Sequence, residues 1–321
     1  MAGIAIAGSI LVDKINEIGS YPAVGELTQI RAVKRAVGGC VPNVAIDLKT
    51  LSPETDIYAI GKVGQDDEKT FLLHELGDRK IDLTGIRVAQ NERTSFTEVM
   101  SIVGGQRTFF TYPGASADFG LSDIDFGALK ADMLHLGYFL LLDKVDNGDG
   151  EKILAKAKSL GIKTSIDLVS ENSDRYKLVI PCLKYTDNVI INESEAGKIA
   201  EIEPKRENLK AIAEKIMSYG ISERVIIHMP ALSVCLSKDG TYTESPSYKL
   251  PEGFIKGTTG AGDAFCAGAL LAIYLGKNDE EILKIASGAA VGALSAADAV
   301  SGMRSLEELS ALCADMPLQS I

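Results

Sequence analysis

The chain has too little positive charge to hold nucleic acid. Lysine and arginine number 33 against 44 aspartates and glutamates, a net charge of -11, whereas a nucleic-acid binder carries a basic patch as its footprint. The same balance argues against an anionic membrane surface. It does not exclude an anionic small molecule, which a few local basic residues can hold. No apolar run is long enough to span a bilayer. The opening MAGIAIAGSILVDK lacks the basic flank of a signal peptide and Asp13 ends its apolar run early, so a buried first strand of a cytoplasmic protein is expected. The five cysteines (Cys40, Cys182, Cys235, Cys266 and Cys313) are odd in number and contain no C-x-x-C pair, which fits free buried thiols in a reducing compartment. The three histidines are far apart in sequence and offer no zinc-ligand spacing. Repeats, low-complexity tracts and long linkers are also missing.

Two common phosphate signatures are absent. No glycine is followed four residues later by Gly-Lys-Ser/Thr, which rules out a Walker A loop. No G-x-G-x-x-G follows the first strand, which ends in Ala7-Gly8-Ser9, and this argues against an NAD-dependent dehydrogenase. What is present is residues 256–270, KGTTGAGDAFCAGAL. Glycines allow a tight turn and close approach, and the apolar helix that follows presents unpartnered amides and partial positive charge at its start. Such a loop suits an anion. Asp263, beside it, has two readings of equal weight on this stretch alone: a base that takes a proton from an attacking hydroxyl, or a helix cap after a glycine turn.

In chain order, residues 3–7 read as a buried strand, with Asp13 just beyond it at the edge where open α/β sheets bind ligands. Residues 15–37 alternate loosely and contain Gly19, Pro22 and Gly25, which suggests strands outside the main sheet. Gly38, Gly39 and Asn43 open a helix that runs to about residue 51. A short strand over 56–60 is followed by a turn at Lys62-Val63-Gly64 and a helix from the acidic 66–68 to about 76. Residues 94–102 and 107–112 form a hairpin around Gly104-Gly105. Arg107 begins its second strand, where it either meets a substrate or is simply exposed. From about residue 133, strands at 133–136, 163–166, 188–191 and 224–228 alternate with helices at 149–160 and 208–219. A hairpin follows at 232–236 and 242–245, and helices near 280–297 and 306–312 close the chain. This order implies a parallel sheet with right-handed crossovers and helices on both faces. Asp13, Asp167, Asn192 with Glu195, and the anion loop with Asp263 then share one edge.

With these elements in order, the sequence resembles the ribokinase-like, phosphofructokinase-B type carbohydrate kinases over nearly its whole length. The resemblance is carried by Asp13, Gly38-Gly39…Asn43-Val44-Ala45, Asn192-x-x-Glu195 and Thr258-Thr259-Gly260-Ala261-Gly262-Asp263. It implies an α/β fold, a three-layer αβα sandwich with a mainly parallel central sheet. A β-sheet lid, built from about 14–37 and 94–115, would belong to a single domain spanning 1–321. It implies phosphoryl transfer from ATP, with Mg²⁺, to a hydroxyl of a sugar or sugar-like acceptor. Asp263 would be the base, ionised at neutral pH because it sits at a helix start. The amides of Gly260, Ala261 and Gly262 would form the anion hole. Asp13, Gly38, Gly39 and Asn43 would grip the acceptor, with Arg107 nearby. Asn192 and Glu195 would order magnesium-bound waters. Thr258, His228 and Ser287 would face the nucleotide, and lids of this kind often pair in a homodimer.

Three departures bear on this. Gly257 stands where the family usually has an aspartate that helps build a monovalent-cation site, which removes the basis for expecting K⁺ activation. His228-Met229-Pro230-Ala231-Leu232 has no glycine where the family has a G-x-x-G turn. Ser287 falls where ribokinases tend to place asparagine. Cys40-Val41-Pro42 is closer to fructokinase-type members, and Tyr138 stands near the position of a sugar-binding glutamate. A ketose, sugar acid or polyol is the expected acceptor, with a nucleoside as the alternative. A non-catalytic sugar- or nucleotide-binding relative is the rival outside the enzymes.

Overall fold

The computed structural model describes residues 2–102 and 107–320. Its strands are β1 (Ile4–Gly8), β2 (Leu11–Ile18), β3 (Ile30–Gly38), β4 (Ile57–Val63), β5 (Asp82–Val88), β6 (Ser95–Ile102), β7 (Arg107–Tyr112), β8 (Met133–Phe139), β9 (Lys163–Leu168), β10 (Asn188–Asn192), β11 (Arg224–His228), β12 (Leu232–Ser237) and β13 (Tyr242–Pro246). The α-helices are α1 (Cys40–Leu51), α2 (Asp67–Gly77), α3 (Gly114–Ala117), α4 (Gly150–Ser159), α5 (Ile180–Leu183), α6 (Glu193–Ala200), α7 (Leu209–Met217), α8 (Ala261–Tyr274), α9 (Asp279–Leu294) and α10 (Leu306–Cys313).

Nine strands form the central sheet in the order β13-β12-β11-β10-β9-β8-β1-β4-β5. It is parallel except at β11–β12 and β12–β13. β1 shows why the sheet is sandwiched: all five residues of Ile-Ala-Ile-Ala-Gly are buried, as in strands covered on both faces. Ile4 and Ile6 join the core formed with α1, α2, α8 and α9. Ala5 and Ala7 point the other way, into the core shared with α4, α5, α6 and α7. A second sheet, in the order β3-β2-β6-β7, stands apart from the first.

The structure adds α3, α5 and α6, which the sequence reading did not assign, and departs from that reading further at β4, β5 and Asp13. β4 continues through Val63 where a turn was expected, because its pairing with β5 runs to Val63–Val88. β5 itself was not assigned. Its Asp82 and Gly85 weaken the strand pattern, yet Gly85 packs so closely that a Cβ there would lie 2.8 Å from the Ala59 carbonyl oxygen. Asp13 is not in a turn after β1 but inside β2, paired with Ala36 of β3 and Thr97 of β6. The expected Gly104-Gly105 turn lies outside the described residues. Among the described residues no helix is long and apolar enough to cross a membrane, and all five cysteines are free and buried.

Candidate active site

Parallel pairing brings the ends of β1, β4, β8, β10 and β11 to one edge. Gly8 lies opposite Gly61 and Gly137, and Asn192 opposite His228. The anion loop closes over this edge. Gly260 precedes α8 with φ 80°, a left-handed conformation that glycine adopts without penalty. A Cβ there would sit 2.6 Å from Ala299, so position 260 tolerates no side chain. Gly39 has φ 85° before α1, and its missing side chain lets the turn press against the Ser9 carbonyl, 2.7 Å from where a Cβ would be.

Asp263 lies in the first turn of α8 and is 7% exposed. Its Oδ2 accepts hydrogen bonds from the Asn43 amide at 2.9 Å and the Tyr138 hydroxyl at 3.0 Å. Burial, followed by the charge of Asp167, pushes its carboxyl up to about 7, while the two hydrogen bonds pull the other way. The expectation of an ordinary ionised carboxylate is therefore corrected. Partial charge at a helix end is outweighed when the group is taken out of water beside another acid.

The other expected residues fall around it. Asp13 has a half-buried side chain whose carboxyl is pushed up to about 7 by burial. Gly38 leaves it room, since a Cβ would lie 2.7 Å from its Oδ2. The Arg107 guanidinium donates to Thr259 Oγ1 in the anion loop. Asn192 and Glu195 form a capping box on α6, with Asn192 Oδ1 accepting from the Glu195 amide at 2.9 Å and Glu195 Oε2 from the Asn192 amide at 3.0 Å. Burial raises the Glu195 carboxyl to about 7. His228 packs on Phe265 with ring centroids 4.6 Å apart, and burial lowers it to about 4, so it is neutral.

Two cavities meet here. One of about 180 Å³ is lined by Asp167, Ser170, Asn192, Glu195 and Asp263 among others. Of these, Asn192 and Glu195 offer hard oxygen donors, of the kind that suits a hydrated Mg²⁺. The other, about 750 Å³, is mostly apolar and includes Thr258, Phe265, Ser287 and Val291. Both are bordered by Asn192, His228 and Gly262. The larger has the size and character of a small-molecule site.

Ser170 was not foreseen. It bridges the box, donating to Glu195 Oε1 at 2.7 Å and accepting from the Asn192 amide nitrogen at 3.0 Å. Its only sequence signal is its place just after β9. His135 was set aside for want of spacing. It comes within ligand distance of Cys40 and Asp167, but its nitrogens face Ser165 at 3.0 Å and Asp167 at 3.4 Å, as in a satisfied core histidine.

The chain is 29% identical over 258 residues to the probable chloroplastic fructokinase-6 of Arabidopsis thaliana, a match that covers 76% of this chain and 64% of that protein. It is 27% identical over 305 residues to the ATP-dependent ribose-1-phosphate kinase of Halopiger xanaduensis, covering 92% of each. The structure of Arabidopsis thaliana ribokinase complexed with ribose and ATP superposes with a TM-score of 0.85 at 22% identity, over 97% of this chain and 99% of that one, a likeness of fold. Residues 1–305 match the family described as pfkB family carbohydrate kinase, and the chain belongs to that family of enzymes.

Proposed function

We propose that the protein transfers the γ-phosphate of ATP to a hydroxyl of a sugar or sugar-like acceptor. One observation carries this reading: the large apolar cavity and the small carboxylate-lined cavity meet at Gly262, in the first turn of α8, and the next residue, Asp263, lines the small one. The nucleoside fits the first, with Thr258 and Ser287 on its wall, and the terminal phosphate reaches the second. The amides of Gly260, Ala261 and Gly262 stabilise the charge that builds on the transferring group. Asp263 takes the proton of the attacking hydroxyl. A carboxylate raised to about 7 is a stronger base than an ordinary aspartate and is matched to neutral pH.

Asp13, the Gly38-Gly39 turn and Asn43 receive the acceptor. Asn43 Oδ1 is buried without a partner among the described residues, and we assign it to accept from a ligand hydroxyl. The β3-β2-β6-β7 sheet acts as a lid on a single catalytic domain, and Arg107 ties it to the anion loop. When bound, Mg²⁺ neutralises phosphate charge, and Glu195 and Asn192 would hold its water shell. A Cβ at Gly257 would lie 2.9 and 3.0 Å from the carbonyl oxygens of Ala297 and Ala296, so no side chain fits there to complete a K⁺ site, and turnover is independent of K⁺.

The test is acceptor-dependent ADP release from MgATP over a panel of ketoses, aldoses, sugar acids, polyols and nucleosides, with and without K⁺. Turnover on one acceptor class supports the proposal and names the substrate. ATP binding with no ADP release on any acceptor or with any nucleoside triphosphate would favour a binding protein instead.

A further inference from the structure

Tyr138 is the one aromatic residue in a left-handed backbone conformation among the described residues, with φ 60°. Side chains beyond glycine, asparagine and aspartate rarely occupy that region, and such strain persists only where the surroundings impose it. Here they do. The Tyr138 amide donates to Asp167 Oδ1 at 2.5 Å. Two residues on, Leu140 also has positive φ, at 78°. Its amide donates to buried Asp146 at 2.9 Å and its carbonyl accepts from Arg175 at 2.7 Å. Glycine at 138 would relieve the strain, and the chain does use glycine at 137. A large side chain at 138 therefore serves something the backbone alone does not supply.

What the side chain reaches is Asp263, across the sheet edge. β8 and α1 each send one donor, the Tyr138 hydroxyl and the Asn43 amide, to the same oxygen, Oδ2. Oδ1 accepts no hydrogen bond among the described residues. We propose that Tyr138 is a positioning residue, whose hydroxyl works with Asn43 to pin Oδ2 of Asp263 and leave Oδ1 alone to face the acceptor hydroxyl.

The proposal rests on Asp263 being the base. The ionisable groups that act on Asp263 are Asp13 from β2, Cys40 and Asp47 from α1, Tyr138 from β8, Asp167 from β9 and Cys266 from its own helix. His228 of β11 lies beside Gly262. All are neutral or anionic, so the two hydrogen bonds, with the start of α8, are what favours the ionised base. Burial and the charge of Asp263 raise the Tyr138 phenol well above its usual range, which keeps it protonated and donating.

The experiment is a carbon-13 NMR titration of the full-length protein labelled at aspartate carboxyl carbons, with Asp263→Asn identifying the Asp263 resonance. In Tyr138→Phe the Asp263 pKa should rise by about one unit, as expected for loss of a hydrogen bond to a charged group. With 3-fluorotyrosine at 138, a stronger donor, it should fall. The fluorinated protein keeps the test open if the phenylalanine variant does not fold. An Asp263 pKa unmoved by either change overturns the proposal.

In ADP release with D-fructose, D-ribose or adenosine, Tyr138→Phe should lower kcat about tenfold. It should move the acid limb upward and leave the acceptor KM within about twofold. A raised KM with kcat and pH profile unchanged would mean that the hydroxyl contacts the acceptor directly, and would also overturn it. If Asp263→Asn keeps full turnover while the NMR shift is seen, the assignment of the base falls and the hydrogen-bond clamp stands.

Discussion

Asp263 is the proposed base, and its environment gives two predictions of opposite consequence. Replacing it with asparagine should lower turnover by about 10²- to 10⁴-fold, read as ADP release under saturating MgATP and acceptor. The same change should stabilise the unliganded protein at alkaline pH. The folded-state pKa of about 7 lies above the unfolded value of about 3.9. The stability this group contributes is therefore complete below about pH 4 and is lost as pH rises through 7. Asp263→Asn removes that loss, worth at most about 4 kcal/mol. Thermal melts should show a higher Tm than wild type at pH 8 and none of that gain at pH 4; an equal shift at both values would remove the electrostatic explanation. At this scale the glycines, Asn43 and Asp263 could be singled out in the sequence because their spacing is local. The bonds that join Asp263 to Asn43 and Tyr138 span 220 and 125 residues, and no local pattern encodes them. The ionisation of Asp263 was misjudged for the same reason: the helix start is visible in sequence, but the burial beside Asp167 is not.

Among the elements, α6 shows how one motif serves structure and site together. Asn192-x-x-Glu195 is a reciprocal cap, and the same side chains line the small cavity. Asn192→Ala should cost about 1 kcal/mol of stability, measured by urea denaturation, and should also raise the KM for MgATP. Loss of stability with unchanged kinetics would reduce the motif to a cap. The parallel strands of the central sheet were readable because strands buried on both faces are continuous apolar runs. β5 was not, since an edge strand with Asp82 and Gly85 carries little pattern and is held by its register against β4.

At the scale of the whole molecule, the small sheet leaves apolar side chains in water: Ile30 and Val33 on β3, and Phe109 and Phe110 on β7. Apolar exposure on one small sheet favours an interaction surface, and we propose a homodimer through that sheet. Sedimentation at micromolar concentration should give the dimer mass, and Phe110→Glu should give the monomer. A monomeric wild type would contradict this assignment while leaving the chemistry intact.

The central claim is that Asp263 accepts the acceptor's proton at the mouth of the anion loop. The most direct measurement is the pH dependence of kcat/KM for the best acceptor of the panel, in wild type and Asp263→Asn, with ATP affinity determined in parallel by calorimetry. The account predicts an acid limb near pH 7 in wild type. In the variant it predicts a loss of about 10²-fold or more with that limb abolished, and ATP affinity close to wild type. Undiminished turnover in the variant, or an acid limb that persists there, would contradict it.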